Sequence, residues 1–305
     1  MSILNKKATI VELTGSTWRA TVSDRGATDG TANLYGTTPK WVTTSKRLVD
    51  PEVLRKPKAI LAKARNYLRG ESPGEADGKF IPGGLPPWDG KGGYILPNAL
   101  NETVVRNLGA FQSAFEDAVQ ELAAVLPAAI DAARTENGQL FSDTDYGTVE
   151  ELLSRYTFGV KFTTIPDAGD VRVEASKAFV EALASSLEEQ SRRKLHEVTS
   201  HAVKTVVDVA THLASALSGY SDEPGKRGAS PFRDSTVDKV RDLVGILPAL
   251  NVTGDAKIEQ ARQDLLLAVG NRSAKQLRAD AEDREAVAKN LTAVADNLTN
   301  IFGSD

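Results

Sequence analysis

From Asp170 to Ser218 the chain runs without a proline or a glycine, and this restricts its fold more than any other feature. Phe179, Leu183, Leu187, Leu195, Val198, Ala202, Val206, Val209, Leu213 and Leu217 follow one another at three- and four-residue steps, with a polar gap at Gln190. That spacing places them on one face of an α-helix. As a single helix the run would measure roughly 70 Å, more than the diameter of a compact domain of this size. The expected molecule is therefore elongated. A helix cannot bury such a stripe alone, so it must pack antiparallel on other helices, on other subunits, or on both.

Much of the remaining chain carries the same period. From Asn101, a good N-cap, the positions Val104, Leu108, Phe111, Phe115, Val119, Leu122 and Leu126 predict a helix that Pro127 should kink before it ends near Gly138. A short helix is expected around Val149–Tyr156. Ser235 with Asp238 resembles a capping box opening a helix to about Leu247. Gly254-Asp255 starts the last helical region, which ends in a coiled-coil-like seam of Val287, Leu291, Val294, Leu298 and Ile301.

The first 98 residues read differently. "KATIVELTGSTWRATVS" predicts two short strands around Thr14-Gly15-Ser16, followed by a loop to about Pro39. A basic helix begins near Pro51 or Pro57 and ends at Gly70. Leu54, Ile60, Leu61, Ala64 and Leu68 lie on one arc of it, and Arg55, Lys58, Lys63, Arg65 and Arg69 on the other. Residues 70–98 form a long Gly/Pro-rich connection of the kind that is usually functional or mobile. Alternation in Phe158, Val160 and Phe162 predicts one isolated strand. The fold class expected is mainly α: an elongated antiparallel helical bundle or coiled coil over 99–305, with a small basic β/irregular region over 1–98.

The chain has no cysteine, which removes disulfides, thiolate zinc sites and cysteine nucleophiles. Neither a signal-peptide core nor an apolar run of membrane-spanning length is seen, so a cytoplasmic location is expected. The net charge of −4 is unevenly spread: residues 1–69 hold 13 Lys/Arg against 5 Asp/Glu. The densest part, Lys40 to Arg69, has nine basic residues and two acidic ones, with Trp41 and Tyr67 among them. Arg55, Lys58, Lys63, Arg65, Arg69, Trp41 and Tyr67 are thus a candidate surface for nucleic acid or for an acidic partner. Docking on the chain's own acidic helices, or on a neighbour's, is the favoured reading.

Motifs for catalysis fail on spacing. "HEVTSH" puts His196 and His201 five residues apart, about 140° around a helix, where a shared zinc needs four. "GGLPPWDGKGG" has Leu85 where a phosphate loop needs its first glycine, and Gly92 where it needs a hydroxyl. "EPGKRGAS" fails likewise at Tyr220. No enzyme activity, cofactor or metal is expected.

The stretches "LVDPEVLRKPKAILAKARNYL", "YILPNAL", "LLSRYTFGVKFTTIPD" and "SPFRDSTVDKVRDLVGILPALNVTGD" share an order of helix ends and hydrophobic positions with a known group. From about Leu48 to Ala268 the chain resembles phage and prophage proteins of unassigned function, often encoded beside MoxR-type AAA ATPases. The resemblance implies a phage setting, with such an ATPase as candidate partner. It supplies no active site. The first 45 residues and the Val287–Ile301 tail lie outside it.

Three functions are consistent with these features. First comes a non-enzymatic, self-assembling structural or adaptor protein, a homo-oligomer working with an AAA ATPase. Its expected seam is Leu195, Val198, Ala202 and Val206 with Val287, Leu291, Val294 and Leu298. Nucleic-acid binding through residues 40–69 is the alternative. Membrane action by the amphipathic stretch "AVQELAAVLPAAIDAA" is the third.

Overall fold

The structure, a computed structural model, describes residues 3–90, 92–167, 176–220 and 233–303. The start of the long Pro-free run and the second lysine-glycine stretch lie outside the described residues. The elements are α1 (Ile3–Lys7), β1 (Ala8–Ser16), β2 (Thr21–Ser23), α2 (Arg25–Leu34), β3 (Ser45–Arg47), α3 (Arg55–Leu68), β4 (Gly93–Pro97) and α4 (Asn101–Glu136). There follow α5 (Val149–Leu153), β5 (Thr157–Thr164), α6 (Lys177–Ser218), α7 (Asp234–Leu250), α8 (Ala256–Val269), α9 (Ala274–Ala279) and α10 (Ala281–Phe302). The protein is mainly α-helical, with a small sheet region.

The chain does not divide at residue 98. One compact unit holds Met1–Glu12, Asn66–Arg106 and Lys161–Asp305; the other holds Leu13–Arg65 and Asn107–Val160.

In the first unit α6, α7, α8 and α10 form a four-helix bundle in up-down-up-down order. Val252, just past α7, packs in one core with Val198 of α6. Arg241 of α7 donates to the carbonyls of Gly270 and Arg272, just past α8. The Arg284 guanidinium, near the start of α10, lies over the Tyr220 ring at the end of α6, 5.0 Å from its centre. At its other end Phe302 takes the Lys257 ammonium from the start of α8. Each helix turns its apolar stripe inward: Val198, Ala202, Val206, Ala210, Leu213 and Leu217 on α6, and Val287, Leu291, Val294 and Leu298 on α10. Side chains so buried stabilise the fold by roughly 1.5–3 kcal/mol each when they are Val or Leu.

This corrects the expected self-assembly seam. Val198, Ala202, Val206, Val287, Leu291, Val294 and Leu298 are buried within one chain, and Leu195 is half-buried beside them in the core of Ile10, Ile95 and Val252. No second subunit is needed to cover them, because the chain supplies four stripes, each on a helix antiparallel to its neighbours in the bundle.

Local signals explain the helix ends. Asp255 and Asp280 accept from the amides of Lys257 and Asp283 to cap α8 and α10. Ser273 and Gln276 close a reciprocal capping box on α9. The expected box at Ser235 is absent: α7 begins at Asp234, so Ser235 is already inside the helix. Asn101 also lies inside its helix, after a 3₁₀ turn, and its Oδ1 finds no hydrogen bond among the described residues. α4 continues through Pro127, whose ring faces solvent.

The N-terminal strands differ from expectation. β1 runs unbroken through Thr14-Gly15-Ser16, and Gly15 is required there by close packing, not by a turn. A Cβ at Gly15 would fall 2.6 Å from Leu61 and 2.8 Å from the Thr157 carbonyl. β4, at the end of the supposed loop, pairs antiparallel with the first half of β1, from Ala8 with Pro97 to Glu12 with Gly93. β5 is not isolated: it lies along the second half of β1, with Ser16 against Thr157 and Thr14 against Gly159. The expected loop after Trp18 contains α2, capped by Asp24.

The second unit is built on Trp18, Leu54, Leu61, Phe115, Leu122, Leu126 and Leu152. Its irregular segments are tied by Lys46, whose ammonium lies 3.1 Å from Asp24 and 2.8 Å from Asp145. These carboxylates hold the Lys46 proton more tightly than usual, Asp145 most of all.

Candidate functional site

The basic segment is largely committed to its own fold. In the second unit Arg55 pairs with Glu52 at 2.9 Å, Lys56 with Glu121, and Arg65 donates to the Gly15 carbonyl at 2.7 Å. Lys58 and Lys63 are exposed and make no ion pair among the described residues. Arg69, in the first unit, donates to the Tyr94 hydroxyl at 3.3 Å. Tyr67 is buried, which corrects its reading as a stacking residue: its ring belongs to the core. Trp41 is 77 % exposed, with the Lys40 ammonium 5.5 Å from its ring centre, and Leu34 and Tyr35 are exposed beside it in sequence. The second unit as a whole carries 12 Lys/Arg against 13 Asp/Glu, so it presents no net positive field.

The three histidines separate as the five-residue spacing requires. His196 is exposed, whereas His201 points into the first unit with its Nε2 3.0 Å from the Gly84 carbonyl. Gly83 and Gly84 adopt φ of +73° and +72° there, and a Cβ at Gly83 would fall 2.2 Å from the Thr205 hydroxyl. The failed phosphate loop is thus a docking strap on α6. Burial pushes the His201 pKa down, opposed by its bond to Gly84. His212 lies one turn from Asp208, beside Thr236 and Lys239 of α7, a grouping whose mark in the sequence is the four-residue spacing of Asp208 and His212. Among the described residues no three His, Asp or Glu side chains gather in a form that holds a metal ion.

The other candidate surface lies on α6. No side chain between Lys177 and Glu197 is fully buried, whereas nine between Val198 and Leu217 are. In its second half α6 is covered on one side by the end of α10, where Leu298 and Phe302 face Ser200, Val203 and Val207. In the first half that side carries Ala178, Ala182, Ser185, Glu189, Arg192 and His196, all exposed. Glu188, Glu189, Arg192 and Arg193 make no ion pair among the described residues, although Glu188 with Arg192 and Glu189 with Arg193 stand at helical four-residue spacing.

No family model, curated protein or solved structure matches the chain. None of the described helices is long and apolar enough to cross a membrane.

Proposed function

We propose that this is a non-enzymatic protein that acts by self-association, in a structural or adaptor role. The observation that carries the reading is α6. At 42 residues, about 63 Å, it is much longer than the 14 to 22 residues of its bundle partners α7, α8 and α10. Its first half buries no side chain fully, and only Leu195 at its end packs against a core; a helix of that length gains little from forming alone in water. Contact with another copy gives it a partner, and an elongated, coiled-coil-like pairing belongs to this proposal. The phage setting and an AAA ATPase partner rest on the family resemblance alone. Sedimentation velocity at micromolar to about 100 µM chain tests the reading: concentration-dependent growth in mass is expected. A single monomeric species throughout that range would sink it.

A second reading, nucleic-acid binding, is carried by Trp41 with Lys40 over its ring. The charge balance of the second unit weighs against it. Anisotropy with a labelled single strand at low salt, comparing the chain with a Lys58→Ala/Lys63→Ala/Trp41→Ala variant, decides it. Equal or absent binding removes the reading. The membrane reading is not carried forward, because the stretch 118–133 buries Leu122 and Leu126 in the second unit's core.

A further inference from the structure

Helix α6 contains the sequence Glu188-Glu189-Gln190-Ser191-Arg192-Arg193, which changes sign about its own centre. Reversed and laid beside itself, each glutamate meets an arginine. All four charged side chains are exposed and lack ion-pair partners among the described residues. We infer that the first half of α6 pairs with the same segment of a second copy, antiparallel, about a two-fold axis between Gln190 and Ser191.

The register follows from helix geometry. With the axis there, Glu189 stands level with Arg192 of the second copy, and Glu188 with its Arg193. At 100° per residue Glu189 and Arg192 lie within about 30° of the line that faces the partner. On that same line lie Ser185 and His196, which stand level with each other across the axis. Ala182 and Thr199 meet obliquely at the next turn outward. A two-fold contact must be self-complementary, because residue i meets j while j meets i. This segment meets that condition in charge.

The position also fits the bundle. The facing line is continuous with the side of α6 that α10 covers from Ser200 onward. The second copy's helix thus meets α6 over Ala182 to Thr199, the stretch of this side that lies short of the end of α10. Four Glu–Arg pairs at a solvent-exposed contact give a modest, salt-sensitive association, and not an obligate one. The inference rests on the self-association reading and specifies its contact.

Charge reversal tests it on the full chain. Arg192→Glu with Arg193→Glu makes one variant; Glu188→Arg with Glu189→Arg makes the other. Both change exposed residues, and unaltered thermal melting of each checks that the fold is kept. In sedimentation velocity at about 100 µM and low salt, the unmodified chain is expected to dimerise, weakening at least about tenfold in 0.5 M salt. Each variant alone is expected to be monomeric, and their equimolar mixture to recover dimers.

Orientation is read by cysteines, since the chain has none of its own. Ser185→Cys mixed with His196→Cys should form a disulfide-linked dimer on oxidation, while neither alone should. Cross-linking of either variant alone, or none in the mixture, overturns the antiparallel register. If both charge variants dimerise like the unmodified chain, this contact is wrong while self-association stands. If the unmodified chain stays monomeric, both fall.

Discussion

Burial of His201 disfavours its charged form. Burial lowers its pKa from the ordinary 6.5, and the nearby Lys204 adds to that, while the Gly84 carbonyl works against it. The unfolded chain therefore takes up its proton at a higher pH than the folded one. Stability from this group is complete above pH 6.5 and declines as pH falls toward the lowered value. A His201→Gln variant keeps a donor for Gly84 but does not titrate. Its melting temperature is expected to fall less than that of the unmodified chain between pH 7.5 and 5.5; parallel falls would contradict the assignment. Tyr156 gives a second case. Its hydroxyl has no hydrogen-bond partner among the described residues, and burial pushes its pKa up to about 12. Removing an unpaired buried polar group relieves a cost, so Tyr156→Phe is expected to raise stability by about 1 kcal/mol in denaturant titration. A loss of similar size would mean that the hydroxyl has a partner.

Among the elements, the Gly/Pro strap and the bundle stripes carry the sharpest expectations. Gly83 needs both its positive φ and its missing Cβ, because Thr205 of α6 lies directly against it. Gly83→Ala should cost roughly 2–4 kcal/mol, measured by the shift in denaturant midpoint. An unchanged midpoint would show that the strap is not held to α6. Leu291 sits at the centre of the α10 stripe, fully buried. Leu291→Ala should cost about 2–5 kcal/mol and leave the association state unchanged, because its neighbours belong to its own chain. Dissociation without loss of stability would return this stripe to a subunit interface. The long helices were legible because 3–4 periodicity survives over many turns, as in α4, α6 and α10. Among the short elements α5 and the alternation of β5 were legible too, whereas α2 was not. α2 is rich in Gly and Thr and exists because Asp24 caps it, and because Thr44 donates its amide to the Thr28 hydroxyl. The glycine in β1 looked like a turn because its reason, Leu61, lies 46 residues away.

At the scale of the molecule, the expectation is an assembly governed by ionic strength. Sedimentation of the chain across a salt series should show its mass falling as salt rises, whereas an apolar interface would hold or strengthen. The basic excess of residues 1–69 is a poorer guide than it looked. Lys46, Arg55, Lys56 and Arg65 meet partners inside their own unit, and that unit's total charge is close to balanced.

By itself the sequence determined that the chain is mainly helical, that one helix would be exceptionally long, and that His196 and His201 cannot share a metal. Those conclusions depend only on residue order and the 3.6-residue turn. Tertiary structure decided which stripes meet. Four apolar faces on one chain satisfy one another before any second subunit is required, so Val198 and Leu291 became core. It also divided the chain into interleaved units, since contacts join residues distant in sequence, and it left Glu188, Glu189, Arg192 and Arg193 exposed on the half of α6 that buries no side chain fully.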